Sequence, residues 1–262
     1  MKEKIRFTKL QAAGNDFILI DNRKGNLQLP RAVIERLCHR RFGIGADGLI
    51  FLQTADGFDF EMKNYNSDGG ECSMCGNGGR ALVHFAQELG MKKSHYRFLA
   101  IDGVHEAQCL DSGVELKMGN VERIHETSVG PVLDTGSPHL VVGVSNLLSH
   151  EVVKEGRALR NSPLFLPGGI NVNFHEIQSG RIFLRTYERG VEDETLSCGT
   201  GAIATAIVSA RDRGLLKAGL EHSTMVHCQG GVLSVRFTPS LDSSFENIWL
   251  SGPVQKTFEG EL

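Results

Sequence analysis

Met74-Cys75-Gly76-Asn77-Gly78-Gly79-Arg80 and Ser197-Cys198-Gly199-Thr200-Gly201-Ala202 are the stretches whose reading decides the fold. Each sets a cysteine before a glycine-rich turn and an apolar run with helical spacing. After the first come Ala81, Leu82, Phe85, Ala86 and Leu89; after the second come Ala202, Ile203, Ala206, Ile207 and Ala210. Glycines at a helix start leave its first amides open toward whatever lies in front of them. A thiol held there is expected to lean toward thiolate, because the helix end carries partial positive charge. Two such thiols in one chain suggest one pocket with two reactive sulfurs.

Working outward, the flanking segments repeat. Ile182-Phe183-Leu184-Arg185-Thr186-Tyr187 matches Phe60-Glu61-Met62-Lys63-Asn64-Tyr65, each ending in tyrosine shortly before its cysteine. Gly90 and Gly214 close the two helices. Gly230-Gly231 parallels Asp102-Gly103, and Ile248 to Gly252 parallels Val114 to Gly119. An internal duplication is the simplest account. The expected architecture is α+β: two pseudo-symmetric domains, each a mostly antiparallel sheet or barrel around a central helix, with the active site in the cleft between them. The domains are expected at 1–120, with 253–262 returning to it, and at 121–252, with a linker near Gly119 to Ile124.

In the first half, Ile5 to Ile20 reads as a strand bent at Gly14-Asn15-Asp16-Phe17. Pro30 opens a helix with an apolar face of Val33, Ile34, Leu37 and Cys38. Leu49 to Leu52 and Phe58 to Tyr65 are strands, and so are Tyr96 to Ile101, Val104 to Leu110 and Val114 to Met118. Turns at Asp102-Gly103 and Asp111-Ser112-Gly113 separate the last three.

Composition bounds the function. The chain has 262 residues, 40% hydrophobic and 23% charged, with a net charge of -3, which gives no reason to expect a nucleic-acid or membrane partner. No apolar run approaches the roughly 20 residues of a membrane span. The mixed charges of the first six residues are unlike a signal peptide, so a cytoplasmic location is expected, with reduced cysteines.

Two acid–base groups on opposite sides of one carbon suit stereoinversion. A thiolate removes a proton from one face and a thiol returns one to the other. Amides of two helix N-termini would stabilise the carboxylate beside the carbanion. No cofactor is needed, no pyridoxal-phosphate lysine motif is evident, and no metal is expected. Other readings stay open. Cys72-Ser73-Met74-Cys75 is formally C-x-x-C, a redox pair or half a zinc site, although Cys198 and Cys228 stand singly. Cys38 and Cys109 read as core, and Cys228 has no assigned role.

The assembled motifs resemble the diaminopimelate epimerases over nearly the whole chain. The carriers are Gly14-Asn15-Asp16-Phe17, Asn66-Ser67-Asp68-Gly69 leading to Cys75, Pro138-His139, Asn171-Val172-Asn173-Phe174, and Tyr187-Glu188-Arg189-Gly190 leading to Cys198. The resemblance implies epimerisation of LL-diaminopimelate to the meso form in lysine and cell-wall precursor synthesis, with Cys75 and Cys198 as the acid–base pair. It implies amides from Gly76-Asn77 and Gly199-Thr200 for the reacting carboxylate. It places Asn15, Asn66, Asn171, Glu188 and Arg189 on the substrate's charged groups, which suits a doubly zwitterionic amino acid. His139 orients a polar group or caps a strand. A homodimer is common among similar proteins.

Three departures stand out. Gly136-Ser137-Pro138-His139 replaces Gly-Asn-Pro-His, so Ser137 stands where an amide can contact substrate. Gly48 stands where some members carry glutamine. The segment from Glu188 to Cys198 is one residue longer than Glu-Arg-Gly-x-Gly-Glu-Thr, with Glu192-Asp193 for the second glycine. A racemase for another amino acid, and a redox-sensing or amino-acid-binding protein without turnover, remain the alternatives.

Overall fold

A computed structural model describes residues 4–110 and 113–262. The expected turn at Asp111-Ser112-Gly113 has its first two residues outside the described residues. The chain divides into two compact units, Met1–Leu116 with Gly252–Leu262, and Lys117–Ser251.

In the first unit eight strands run in the spatial order Val254–Glu261, Arg6–Ala12, Asn15–Asp21, Gly48–Gln53, Phe60–Asn66, His95–Ala100, Gly103–Leu110 and Gly113–Lys117. Two neighbouring pairs are parallel, and each parallel step carries a helix as its crossover. Helix α1 (Arg31–Cys38) follows Asn15–Asp21, and α2 (Gly76–Glu88) follows Phe60–Asn66. The second unit has the same plan. Its order is His125–Thr127, Gly130–Asp134, Pro138–Gly143, Asn171–Gln178, Arg181–Glu188, His222–Cys228, Gly231–Pro239 and Phe245–Ser251. The parallel steps again carry helices, α3 (Val152–Arg160) and α4 (Gly199–Asp212).

The repeat extends to single bridges. Phe60 pairs with Phe98 as Ile182 pairs with Val226, and a short strand precedes each cysteine, Glu71–Cys72 and Asp193–Thr195. The strands are mostly antiparallel and the class is α+β, as the pattern indicates. The bend at Gly14 is a tight hairpin, with Ala13 and Gly14 at φ 52° and 87°, so Arg6–Ala12 and Asn15–Asp21 lie side by side rather than end to end.

Sequence and packing agree most closely at α2 and α4. Neither is a surface helix with one apolar stripe. Asn77 to Val83 are all buried in α2, and Gly201 to Ala210 are all buried in α4. Such a helix is enclosed on every side. Each packs against five or more strands of its own unit, and its small residues allow that approach. Both end in the same motif. Gly90 and Gly214 take φ 87° and 64°, and the following amides, Met91 and Leu215, return to the carbonyls of Ala86 and Ala210 at 3.0 and 2.9 Å. No helix among the described residues is long and apolar enough to cross a membrane.

Candidate active site

The first unit builds its candidate residues around the start of α2. Cys75 is the N-cap, with extended backbone at φ -105° and ψ 147°, and its Sγ accepts from the Gly78 amide at 3.2 Å. Glycine at 78 permits this, because a Cβ there would stand 3.1 Å from that sulfur and 3.2 Å from Ile50 and Met62. The approach to the cysteine is held from both sides. Asn64 Nδ2 donates to the Ser73 carbonyl at 3.0 Å, and the Met74 amide donates to Asp102 at 3.2 Å.

Asn77 is buried, and its Nδ2 lies 3.4 Å from Asn15 Oδ1 while its Oδ1 accepts from Arg80 at 2.6 Å. Asn15 in turn donates to Asp47 at 2.7 Å. Behind them Asp16 receives Lys9 at 2.7 Å and both terminal nitrogens of Arg40, at 3.0 and 2.8 Å. Burial alone would raise the Asp16 carboxyl, but the Arg40 and Lys9 bonds and charges outweigh it and bring it down to about 2. Asn66 is exposed, at the strand end opposite Gly48. The structure thus joins Asn15, Asn77 and the Cys75 turn, and leaves Asn66 at the rim of the same unit.

In the second unit Cys198 caps α4 and is 7% exposed, with its Sγ 3.4 Å from Thr200 Oγ1. Thr200 Oγ1 lies 2.9 Å from Nε2 of His139, whose Nδ1 lies 3.0 Å from Asn173 Nδ2. The direction of this chain follows from its far end. Asn173 Oδ1 accepts from Thr186 at 3.0 Å, so the amide nitrogen faces both His139 and the Leu140 carbonyl. On that hydrogen-bond assignment His139 Nδ1 accepts, Nε2–H donates to Thr200, and the Thr200 hydroxyl is left to donate to sulfur. Full burial, aided by the Arg189 charge, drives His139 down to about 3, so the ring is neutral. His139 thus bonds to a polar group, the Thr200 hydroxyl.

The expectation that a helix start favours thiolate is overturned at Cys198. Burial and then the Glu188 charge push this thiol up to about 12, against the opposing pull of Thr200 and the Gly201 amide. Desolvation of a fully enclosed sulfur exceeds what the helix end returns.

Beside this chain lies a second polar cluster. Asn171 Nδ2 donates to Ser137 Oγ at 2.8 Å and to the Pro138 carbonyl at 3.0 Å, while its Oδ1 accepts from the Arg189 amide at 2.8 Å. The Arg189 side chain reaches Ser137 Oγ at 3.4 Å and the Gly168 carbonyl at 3.1 Å. Glu188 accepts from Thr195 at 2.9 Å. The longer Glu188–Cys198 segment is absorbed at Glu192, which takes φ 59° where a glycine would be unstrained. Its carboxylate receives Arg160 at 2.9 Å, Tyr187 at 3.2 Å and the Gly190 amide at 3.0 Å.

Arg80, Asp47, Thr135, Asn173 and Thr186 carry this organisation without having been assigned roles from sequence. Arg80, Asn173 and Thr186 lie inside segments already quoted; Thr135, whose hydroxyl donates to the Thr200 carbonyl at 3.0 Å, carries no local signal. None of the six cysteines is joined in a disulfide. Among the described residues no group of three or more His, Cys, Asp or Glu stands ready to hold a metal.

The sequence matches the diaminopimelate epimerase family over residues 7–124 and 132–254. It is 47% identical to the diaminopimelate epimerase of Flavobacterium psychrophilum, covering 97% of this chain and 99% of that protein. It is 40% identical to that of Chlorobaculum tepidum, with 97% and 99% covered. Among solved structures, a phenazine biosynthesis protein of the PhzF family from Bacillus anthracis matches with a TM-score of 0.78 at 14% identity, covering 99% of each chain. A hydroxyproline epimerase from Agrobacterium vitis, with bound trans-4-hydroxy-L-proline, matches with a TM-score of 0.65 at 16% identity, covering 100% of this chain and 93% of that one. These distant structures share the fold, and the close sequence matches carry the assignment. The chain belongs to the diaminopimelate epimerase family.

Proposed function

We propose that this protein is an isomerase that converts LL-diaminopimelate to meso-diaminopimelate without pyridoxal phosphate, by a two-base mechanism using Cys75 and Cys198. Near-full-length identity to diaminopimelate epimerases is the observation that carries the reading. The two cysteine-capped helices support the mechanism.

In this reading the substrate's α-carbon is the reacting centre. One sulfur, as thiolate, takes the α-proton, and the other, as thiol, returns a proton to the opposite face. The amides of Gly76-Asn77 and Gly199-Thr200 hold the α-carboxylate as charge develops, and one well-placed donor of this kind is worth about 10²–10³ in turnover. The distal ammonium and carboxylate fall to Glu188 and Arg189, with Asn15, Asn66, Asn171 and Ser137 completing the polar lining. His139 acts behind Thr200. We further propose that the protein is cytoplasmic, forms a homodimer, and serves lysine and cell-wall precursor synthesis without nucleic-acid or membrane partners.

The test is incubation of reduced, metal-free enzyme with LL-diaminopimelate in D2O. Meso product with deuterium at the inverted carbon is expected, and the absence of exchange refutes the reading. Ser137 and Gly48, where relatives carry larger amides, favour one alternative, a racemase acting on another amino acid. A substrate panel decides it, with diaminopimelate expected to give the highest kcat/KM.

A further inference from the structure

The two cysteine-capped helices share a topology but differ in charge. Five residues beyond its cysteine, α2 carries Arg80 where α4 carries Ile203, and both side chains are 0% exposed. Long side chains on a helix lean back toward its N-terminus. Arg80 does so, donating to the Gly76 carbonyl at 3.1 Å and to Asn77 Oδ1 at 2.6 Å. A guanidinium stays charged at every accessible pH, so the turn that follows Cys75 holds a permanent buried cation. The corresponding turn of α4 is oriented instead by a neutral imidazole, His139. The sulfurs differ accordingly. Both sulfurs meet a backbone amide, Gly78 at Cys75 and Gly201 at Cys198, but Cys198 also meets the Thr200 hydroxyl and lies under the influence of the Glu188 carboxylate.

We propose that Arg80 is a positioning residue whose buried guanidinium makes Cys75, and not Cys198, the sulfur that rests as thiolate. The groups packed against this turn, Ile50, Met62 and Leu116 beside Gly78 and Gly79, and Asn64 beneath Ser73, are uncharged. Other titratable groups around it include Cys72 in the approach strand with the Glu71 and Asp68 carboxylates near it, the Asp102–His105 pair at the Met74 amide, and the Lys9, Arg40, Asp16 and Asp47 set behind Asn15. The last set is two cations and two carboxylates, and so contributes little net field. Lys256 and Glu88 pair at the far end of α2.

The proposal deepens the two-thiol reading, but its test needs no substrate, so its failure is distinct from failure of the epimerase assignment. Wild type, Arg80→Lys, Arg80→Met and Asn77→Ala are alkylated with iodoacetamide over a pH series, and each cysteine peptide is quantified by mass spectrometry. In wild type, Cys75 is expected to react with a midpoint about one pH unit or more below that of Cys198. Arg80→Met should raise the Cys75 midpoint by about one unit, a roughly tenfold slower reaction near neutrality. Arg80→Lys should retain the wild-type midpoint. Asn77→Ala should leave it within about 0.3 units, because it removes an oxygen that Arg80 holds but keeps the cation. A lower midpoint at Cys198 in wild type overturns the proposal, and so does an unchanged Cys75 profile in folded Arg80→Met. A shift in Arg80→Lys or Asn77→Ala as large as that expected of Arg80→Met also overturns it. Should Arg80→Met not fold, the wild-type order and the other two variants decide alone.

Discussion

Gly201→Ala tests whether the polar chain behind Cys198 is a rigid unit. A Cβ at Gly201 would stand well inside 3.0 Å of Asn173 Oδ1, and 3.4 Å from the Cβ of Cys198. Asn173 is 0% exposed and bonded on three sides, to Thr186, the Leu140 carbonyl and His139, so it has no free direction in which to yield. Moving it breaks or stretches three buried hydrogen bonds, each worth about 1 kcal/mol net and more when a partner is left unsatisfied. Counted as overpacking, the same displacement is worth about 1–3 kcal/mol. A total loss of about 3 kcal/mol is expected, read as a fall in Tm of roughly 6–12 °C for a chain of this size.

Turnover should fall further than stability alone explains, because His139 and Thr200 lose their fixed orientation toward the sulfur. The assay is a double-mutant cycle with Asn173→Ala, monitored by urea unfolding and by initial rates. Asn173→Ala removes the obstructing oxygen, so adding Gly201→Ala to it should cost little more, a non-additivity of about 2 kcal/mol. Gly119→Ala, with nothing within 4 Å of the new Cβ, is the control and should change stability by less than about 0.5 kcal/mol. Additive losses in the cycle, or a Gly201→Ala variant as stable and active as wild type, would refute the reasoning.

Other outcomes follow from the same contacts. Cys75→Ser and Cys198→Ser should each lower kcat by about 10³-fold or more with unchanged circular dichroism, and near-normal rates in either would remove that residue from the acid–base pair. Gly48→Gln should destabilise the first unit by roughly 1–3 kcal/mol, because its Cβ would lie 2.6 Å from the Tyr65 carbonyl oxygen; equal unfolding midpoints would contradict this. Asp16 titrates lower when folded than its ordinary 3.8, so its contribution is present above that value and is lost as pH falls toward about 2. The Asp16→Asn variant should show a flatter stability profile across that acid window, measured by urea titration; profiles of equal slope would count against the ion-pair network.

Much of the fold was legible because it is written twice. Cys-Gly-x-Gly followed by small apolar residues marked both central helices, and matched strand pairs such as Phe60–Tyr65 and Ile182–Tyr187 set the repeat. Features without a local signature were missed. The hairpin at Ala13-Gly14 looked like a bend, since alanine is a rare residue at positive φ. Helix α3 buries only Val152 and Gly156 and is otherwise studded with Lys, Glu and Arg, so no apolar stripe announced it. The parallel pairing of Pro138–Gly143 with Asn171–Gln178, which brings Asn171 and Asn173 to Ser137 and His139, depends on that unrecognised crossover. The candidate residues themselves were readable from motif order. Their partners were not, because Asp47 and Thr135 meet Asn15 and Thr200 only through long-range register. The burial that raises the Cys198 thiol likewise belongs to the folded unit and not to the Cys-Gly dipeptide.

Whether both sulfurs serve one carbon is measured most directly in a crystal structure with an unreactive diaminopimelate analogue bound. The account predicts Cys75 Sγ and Cys198 Sγ on opposite faces of the α-carbon, each at about van der Waals contact. A bound analogue touched by one sulfur alone, with the other in a separate environment, would contradict it.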